Sequence, residues 1–262
     1  MEKLYKYPRT KHIDGSKLQK GDEDLLKIKF STIIKEYLVV EEKIDGANAG
    51  ISFYNGELKL QSRGHFLTGG HRERHFNLFK KWVNAFIVEL YSVLGEKYIM
   101  YGEWMYAKHT IFYDKLPHYF LEFDVYDKEN DKFLSTEKRK ELLSSLVFLH
   151  SVPVIKEGYF KNFNEIKDLV TTSLYKSKDW HINLKKICEE RTLSYDLAIS
   201  QTDDSNLSEG LYIKVEKGDH VIERLKYVRQ EFTASILSSD SHWLNRPIIP
   251  NLLERGELKW TY

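Results

Sequence analysis

The chain has 262 residues, 42% hydrophobic and 14% aromatic, which is enough for one large domain with a sizeable core and excludes an intrinsically disordered protein. Its 40 basic and 39 acidic residues leave a net charge of +1, so any binding of nucleic acid must depend on local clusters such as residues 71–75 or 80–81. A single cysteine excludes an intrachain disulfide and a multi-cysteine zinc site, and no apolar run predicts a signal peptide or membrane span, so we expect a cytoplasmic, reduced protein.

The first elements of the chain are short until a hairpin begins near residue 37. Residues 1–36 are mixed in character, with turns at Pro8 and Gly15 and a short helix or strand at 25–28. Beyond them, an Asn-Gly pair at 55–56 separates two runs that alternate apolar and polar residues. That combination is a strong local signal for a β-hairpin.

The middle of the chain predicts a helix and two strands. Apolar residues recur three or four positions apart over 76–94, which gives a helix one apolar face and assigns its aromatic residues to the core. Residues 97–103 and 118–126 predict strands.

Residues 136–200 predict mostly helix, with a break at 152–154 and a buried thiol at Cys188. Strands then return at 211–216 and 220–228, joined by a turn. After residue 232 about 30 residues remain, and Pro247 and Pro250 divide them into short pieces.

Residues 41–48, with the sequence EEKIDGAN, carry the chemistry that points to function. A lysine between two strands, followed by an Asp-Gly turn, can attack the α-phosphorus of a nucleotide and hold the nucleotidyl group as a phosphoramidate. Such a short pattern also arises by accident, so its weight depends on its context. Five further patterns follow in order: SRG at 62–64, YGEW at 101–104, FLEFD at 120–124, EGLYIK at 209–214 and RLK at 224–226.

This ordered set resembles the ATP-dependent polynucleotide ligases, and within them the nick-sealing, double-strand-specific RNA ligases. The resemblance extends from about Tyr37 to Phe232. Asn48 stands where DNA ligases and capping enzymes usually carry an arginine shortly after the Asp-Gly turn, and residues 102–111 resemble one branch of RNA ligases. The resemblance favours an RNA ligase over a DNA ligase, and both over a capping enzyme.

The resemblance implies an α+β nucleotidyltransferase fold, with antiparallel sheets around a nucleotide cleft and helices packed outside. Residues 1–232 would form the adenylation domain. Residues 233–262 would form a short C-terminal extension, too small for the separate domain that many relatives append. The source of the grip on nucleic acid is therefore open.

Lys43 is expected to be the nucleophile. Only its neutral amine can attack, so the site must lower a pKa that is normally about 10.4, through desolvation or nearby positive charge. Lys214, a second metal ion or both could supply that charge. Lys214 would also neutralise the α-phosphate in the transition state. Asp45 would orient the lysine or hold a metal-bound water.

Two further motifs would hold metal and phosphate. Glu209 is a hard oxygen ligand suited to Mg²⁺ or Mn²⁺. Lys226 would contact the phosphates, together with either Arg224 or Arg229.

Five residues are expected around the nucleotide by resemblance. Asn48 would bind the ribose or phosphates, and Arg63 the ribose hydroxyls or the 5′-phosphate of a strand. Glu103 would bind the ribose or a metal, although an ordinary strand-edge acid is the alternative. Phe123 would stack on the adenine or be a core residue. Glu42 would lie by the adenine or face solvent.

Three histidines have weaker claims. His71 and His75, four residues apart, would share one face of a helix, where a structural or RNA-contacting role is favoured over metal. His109 would contact a phosphate or hold a turn.

The predicted activity is that of an RNA ligase that uses ATP with Mg²⁺ or Mn²⁺ to join a 3′-hydroxyl to a 5′-phosphate. Its partner would be RNA or a nicked RNA/DNA duplex, and a kinase or phosphatase could assist in repair. The alternatives are a DNA ligase, the ligase subunit of a repair complex, and a non-catalytic RNA-binding module.

Overall fold

The computed structural model describes residues 3–18, 22, 24–232, 246–256 and 258. Within these residues the fold is built on one large, mostly antiparallel sheet. Its strands are β1 (Lys11–Ile13), β2 (Lys27–Ile28), β3 (Tyr37–Lys43), β4 (Ala47–Tyr54), β5 (Glu57–Ser62), β6 (Tyr98–Trp104), β7 (Phe120–Asp127), β8 (Lys132–Leu134), β9 (His150–Ser151), β10 (Val154–Gly158), β11 (Gly210–Lys217) and β12 (His220–Val228).

Helices pack against this sheet. The α-helices are α1 (Asn77–Ala85), α2 (Ile87–Leu94), α3 (Thr136–Leu143), α4 (Phe163–Lys167), α5 (Trp180–Glu190) and α6 (Tyr195–Ser200). Short 3-10 helices span Phe30–Thr32 and His71–Phe76.

The sheet has two halves. Strands β10, β3, β11 and β12 form the first half-sheet, and β7, β6, β4 and β5 form the second. Strand β8 joins them, since it pairs with β12 on one side and with β7 on the other. Parallel pairing occurs where β1 meets β12 and β2, and where β9 meets β7. The predicted α+β class with antiparallel sheets is confirmed.

The predicted hairpin is formed by β4 and β5. Both turn residues have positive φ, 50° at Asn55 and 75° at Gly56. A two-residue turn with two positive φ angles matches the twist of the flanking strands, and Asn-Gly tolerates it best. This local prediction is confirmed.

The helix predicted over 76–94 is present, with a break. Phe86 has φ −119° and ψ 24°, so α1 ends there and α2 begins after it. The apolar residues that carried the prediction are all buried: Phe76, Phe79, Trp82, Val83, Phe86 and Leu90. Their assignment to the core is confirmed.

The prediction of mostly helix over 136–200 is only partly right. Helices α3 to α6 lie in this stretch, and Cys188 is buried in α5 as expected. Residues 154–158, however, form β10, which pairs with β3 at the edge of the sheet. That pairing is a tertiary contact and has no local signal in the sequence.

The first half-sheet presents one apolar face and one polar face. Leu38, Val40 and Ile213 belong to a buried cluster behind it. Because side chains alternate along a strand, Glu41 and Lys43 point to the opposite face, toward the second half-sheet. We call the space between the two half-sheets the cleft.

Residues 246–256 pack against the rest of the fold. Lys108 donates its backbone N–H to the carbonyl of Ile249 at 2.8 Å. The buried amide of Asn251 accepts from the backbone N–H of Tyr113 at 2.9 Å and donates to the carbonyl of Met105 at 2.7 Å.

The predicted domain boundary at residue 232 stays a prediction. Residues 233–245, 257 and 259–262 of the predicted extension lie outside the described residues. Within the described part of the chain, the search for a helix long and apolar enough to cross a membrane finds none.

Candidate active site

Lys43 is the last residue of β3, at the mouth of the cleft. It lies opposite Gly210 of β11, so the residue before that glycine, Glu209, comes next to the lysine. The Nζ of Lys43 is 2.8 Å from Oε2 of Glu209, and the lysine side chain is 22% exposed. The pairing of two strands distant in sequence thus brings two of the predicted motifs into contact.

Gly210 is required by the close approach of β12. A Cβ at this position would lie 1.9 Å from the carbonyl oxygen of Tyr227, a backbone atom that cannot move aside independently of its strand. The glycine therefore allows β11 to carry Glu209 up to Lys43.

Three carboxylates surround the amine of Lys43 and set its charge. Burial disfavours the ammonium form, but Glu209, Glu103 and Asp45 together outweigh it and raise the pKa of Lys43 above its ordinary value. Without a nucleotide the lysine is therefore an ammonium ion. The protein's own groups thus raise the lysine pKa, whereas nucleophilic attack needs this pKa to be lowered.

Asp45 is held by backbone donors across the cleft mouth. Its Oδ2 accepts from the backbone N–H groups of Thr110 and Ile111 at 2.7 and 2.9 Å. Burial and the charge of Glu209 raise the pKa of Asp45 to about 6, although these hydrogen bonds act to lower it. Nδ1 of His109 lies 3.8 Å from Oδ1 of Asp45, so His109 helps to fix this loop.

Gly46 lets the loop after Lys43 pass close to β6. A Cβ there would lie 2.6 Å from Sδ of Met105 and 2.8 Å from Cγ of Glu103. Its backbone N–H donates to Oε1 of Glu103 at 3.2 Å. Burial, followed by Glu209 and Asp45 and opposed by Lys43, raises the pKa of Glu103 to about 8.

The donor set fits a divalent cation bound together with a substrate. Among the described residues no group of three or more His, Cys, Asp or Glu forms a complete metal site. Mg²⁺, however, is commonly held by one or two carboxylates plus phosphate oxygens and water. Burial is the main cause of the raised pKa values of Glu103 and Asp45, and the charges of neighbouring carboxylates add to it. A divalent cation would oppose both effects, because it favours the ionised carboxylates.

Lys214 lies deeper in the cleft, in a buried ion-pair network. Its Nζ is 3.0 Å from Glu41 and 3.2 Å from Asp124, and it also donates to the carbonyl of Phe123. The predicted partner of the α-phosphate is therefore already bound by two carboxylates and a carbonyl.

Arg139 of α3 completes this network and was missed in the sequence analysis. Its guanidinium donates to Glu41 of β3 at 2.9 Å and to Glu122 of β7 at 3.2 Å. It thereby joins the two half-sheets from below. Glu41, inside the EEKIDGAN motif and on the same strand face as Lys43, was the available signal, but its partner lies 98 residues away.

Lys226 of β12 faces the same cleft, within the electrostatic reach of Lys43. Its ammonium pairs with Asp22 of the N-terminal segment. Burial, reinforced by Lys43, lowers the pKa of Lys226 although Asp22 opposes the shift. Asp22 is fixed in turn by His12, whose Nε2 lies 3.0 Å away. The Asp22–His12 contact is a second feature without a sequence signal.

The two candidates for the partner of Lys226 lie in different places. Arg224 is two residues earlier on β12, on the same strand face, and its guanidinium lies 3.7 Å from the ring centre of Phe133. Arg229 follows the strand, donates to the carbonyl of Ser208 at 2.7 Å and pairs with the buried Asp203. The placement favours Arg224.

The remaining predicted nucleotide-site residues divide between the cleft and other surfaces. Asn48 of β4 pairs with Glu103 in register, and its buried Oδ1 accepts no hydrogen bond from the described residues. Phe123 is half-buried and packs edge-on against Tyr7, with ring centres 5.2 Å apart. Arg63 follows β5 and is exposed.

Glu42 points away from Lys43. It is the neighbour of the lysine on β3, so strand alternation turns it to the opposite face. Its carboxylate accepts from Ser173 Oγ at 2.6 Å and from the backbone N–H of Leu174 at 3.1 Å. Burial raises its pKa in spite of these bonds. The described contacts of Glu42 are thus to the protein, and the alternative of a solvent-facing acid is wrong.

His71 and His75 do not share a face, because their segment is a 3-10 helix with three residues per turn. His71 is exposed and His75 is buried.

Known proteins are similar to this chain in sequence and in fold. A sequence model of the RNA ligase family matches residues 36–228. The fold is similar to Naegleria gruberi RNA ligase with pyrophosphate, at 17% identity and TM-score 0.52 over 76% of this chain and 51% of that one. It is also similar to a mutant of that ligase with AMP and Mn, at 14% identity and TM-score 0.53 over 78% and 53% of the two chains.

The chain spans about half the length of the ligases it matches in structure. No curated protein matches it at a significant level by sequence search. The structural likeness establishes a shared fold, and the family match covers the segment that carries every predicted motif.

Proposed function

This chain belongs to the RNA ligase family, and we propose that it is an ATP-dependent RNA ligase that joins a 3′-hydroxyl to a 5′-phosphate through a lysyl-AMP intermediate. The observation that carries the proposal is the contact of 2.8 Å between Lys43 and Glu209, with Asp45 and Glu103 close enough to shift the lysine pKa. A lysine, a phosphate-binding face and a set of hard oxygen ligands are what transfer of an adenylyl group requires.

The first step would form the covalent enzyme adenylate. Lys43 Nζ attacks the α-phosphorus of ATP, an N–P bond forms, and the P–O bond to pyrophosphate breaks. The ammonium must first lose a proton, and Oε2 of Glu209, at 2.8 Å, is the nearest described acceptor. Mg²⁺ or Mn²⁺, held by Glu209 and Glu103 with the phosphates, would supply positive charge that lowers the lysine pKa and stabilises the charge on the phosphates.

The cationic residues of β12 would act on the phosphates. Lys226 exchanges Asp22 for a phosphate oxygen when the nucleotide enters, since both are anionic partners for one ammonium group. Asn48 offers a buried amide oxygen without a described donor, which suits a ribose hydroxyl. Lys214 acts from below by fixing the cleft floor.

The second and third steps would use the same site. The adenylyl group passes from Lys43 to the oxygen of a 5′-phosphate end, which forms a pyrophosphate-linked adenylate and frees the amine. A 3′-hydroxyl then attacks the 5′-phosphorus, the new phosphodiester forms, and AMP leaves. The enzyme contributes mainly positioning and electrostatics in each step.

We further propose that the substrate is a nick in duplex RNA or RNA/DNA, sealed in the cytoplasm, with a kinase or phosphatase preparing the ends. Asn48, in place of the arginine typical of DNA ligases, supports RNA over DNA. Comparison of nicked RNA, RNA/DNA and DNA duplexes, with the purified chain alone, tests the preference for RNA over DNA.

The test of the central proposal is covalent labelling. Purified protein is incubated with α-labelled ATP or GTP and Mg²⁺ or Mn²⁺, then analysed by denaturing gel and intact mass. A gain of one AMP, located on Lys43 and absent in Lys43→Ala, is the expected result. The matched control is Lys81→Ala, which removes an exposed lysine of α1. A GMP adduct would indicate capping chemistry, and an unmodified protein with every nucleotide would contradict the proposal.

A further inference from the structure

A cavity lies beside the end of β11 that is remote from Lys43. Its volume is about 800 Å³, and it is bounded by residues 3–6 of the N-terminal segment, by 131–133 and by 220–224. We call it the distal pocket. Lys43 pairs with the first residue of β11, Gly210, whereas the pocket adjoins the last, Lys217. Seven residues of strand therefore separate the two sites, roughly 20 Å at about 3.3 Å per residue.

The distal pocket concentrates positive charge in a chain that is almost neutral overall. Its wall carries Lys3, Lys6, Lys132, Lys217 and Arg224. The four lysines are exposed, and none of them forms an ion pair with a described carboxylate.

The two acids of the pocket wall are already engaged. Glu223 pairs with Lys11 at 2.6 Å, and Asp131 accepts the hydroxyl of Tyr126. A neutral hydroxyl donor leaves Asp131 its charge, but five cations face only these two carboxylates in the wall, so a cationic excess remains available to an anionic ligand.

Aromatic rings stand among these cations in fixed positions. Tyr5 and Tyr126 are half-buried, with ring centres 5.7 Å apart and planes at 48°. The carbonyl of Tyr5 accepts hydrogen bonds from Tyr101 at 2.7 Å and Gln61 at 2.8 Å, which ties the N-terminal segment to the second half-sheet. Nζ of Lys3 lies 4.6 Å from the ring centre of Tyr5. Half-exposed rings between lysines are what a single-stranded nucleic acid binds, with bases on the rings and phosphates on the cations.

We propose that the distal pocket binds a single-stranded segment of the RNA substrate that lies outside the nicked duplex, several nucleotides from the end that reacts at Lys43. The inference rests on the proposed function, because the RNA bound in the pocket would be the same polynucleotide that the ligase joins. Arg224 connects the two places, since it lines the pocket and lies two residues from Lys226 on the same strand face. A single strand is specified because the faces of its bases are free to stack, unlike those inside a duplex.

The first test removes two lysines of the pocket without touching the predicted catalytic residues. Lys132→Gln with Lys217→Gln is compared with wild type by fluorescence anisotropy on a labelled single-stranded RNA over a series of salt concentrations. We expect binding weaker on the order of tenfold at low salt, and a salt slope smaller by about 1.4, as two lost phosphate contacts on a single strand predict. The control is Lys178→Gln with Lys185→Gln, exposed lysines outside the pocket, which change the net charge equally.

A pocket variant that keeps the wild-type salt slope, or a control variant with the same loss, would overturn the inference. Labelling of Lys43 by ATP without RNA separates this result from the proposed function. The pocket variant should form the enzyme adenylate normally and seal RNA with a raised KM and an unchanged kcat. If wild type binds RNA through the pocket but forms no adenylate, the ligase proposal fails and the RNA site stands.

The second test locates the bases. RNA that carries 5-iodouridine is photo-crosslinked to the wild-type protein, and the modified peptides are identified by mass spectrometry. Crosslinks to Tyr5 or Tyr126 are expected, and Tyr54, an exposed tyrosine outside the pocket, is the internal control. Crosslinks at Tyr54 but at neither pocket tyrosine would contradict base stacking there.

Discussion

Lys43 and Lys214 lie on neighbouring strands of the cleft and both form ion pairs with carboxylates, but their environments differ. The side chain of Lys43 is 22% exposed. Among the described residues, its amine forms an ion pair with one carboxylate, that of Glu209. The side chain of Lys214 is 1% exposed and is bound by Glu41, Asp124 and a backbone carbonyl. Lys43 can exchange its partner for a nucleotide at small cost, whereas Lys214 cannot leave its partners without exposing buried charge.

The difference between the two lysines lies in their environments, since one amine has a single described ion-pair partner and partial exposure and the other is buried in a network. The Lys214 network includes Arg139 and joins β3 to β7, so it holds the two walls of the cleft at a fixed separation. We therefore expect changes at Lys43 to affect chemistry and changes at Lys214 to affect folding.

The largest effect is expected at Lys43, the proposed nucleophile. Lys43→Ala should abolish covalent labelling by α-labelled ATP, and Lys43→Arg should do the same because a guanidinium stays protonated. The free energy of unfolding of both variants should lie within about 1 kcal/mol of the wild-type value, because partly exposed ion pairs contribute little to stability. Labelling of either variant would exclude Lys43 as the nucleophile.

The next largest effect is expected at Lys214, and it is an effect on stability. Lys214→Ala leaves Asp124 without its cationic partner and Glu41 with Arg139 alone, deep in the cleft, and should lower the free energy of unfolding by about 3–5 kcal/mol. Urea denaturation measures this change. Lys217→Ala, an exposed lysine on the same strand, is the control and should shift it by less than about 0.5 kcal/mol. Equal stability of the two variants would remove the distinction between the lysines.

A smaller effect is expected from a change at Gly46, in the loop after Lys43. In Gly46→Ala the new methyl would lie 2.6 Å from Sδ of Met105 and 2.8 Å from Cγ of Glu103, so these side chains or the loop must move. The backbone carbonyl oxygen of Trp104, at 3.0 Å, limits the space further. A displacement of about 1 Å should slow formation of the enzyme adenylate by about a hundredfold. Gly56→Ala, in the hairpin turn with open space around its Cβ, controls for loss of a glycine. Its effect should be on stability alone, since φ there is 75°.

The smallest effect is a pH dependence of stability. The pKa of Glu103 is raised from 4.5 to about 8, so the folded state binds more protons than the unfolded state between these values. Stability contributed by protonated Glu103 is therefore present at low pH and is lost as the pH rises toward about 8.

Glu103→Gln should flatten this fall in the ligand-free protein, measured by urea denaturation between pH 5 and 8, whereas Glu189→Gln on the exposed face of α5 should leave it unchanged. A fall of the same steepness in Glu103→Gln would assign the pH dependence to another group.

Local patterns determined much of this protein from its sequence alone. The Asn-Gly turn at 55–56 specified a hairpin, because few residues adopt two successive positive φ angles. The spacing of apolar residues over 76–94 specified a buried helical face. The order of the motifs around Lys43 indicated the family that the match over residues 36–228 establishes.

Only the tertiary structure decided which charges meet. Lys226 pairs with Asp22 from 204 residues away, and Arg139 with Glu41 from 98 residues away, and neither pair leaves a trace in local sequence. Strand register likewise turned Glu42 away from the cleft while Glu41 and Lys43 entered it. Propensity and periodicity act between near neighbours in the chain, whereas the pairing of buried charges depends on the closing of the two half-sheets upon each other.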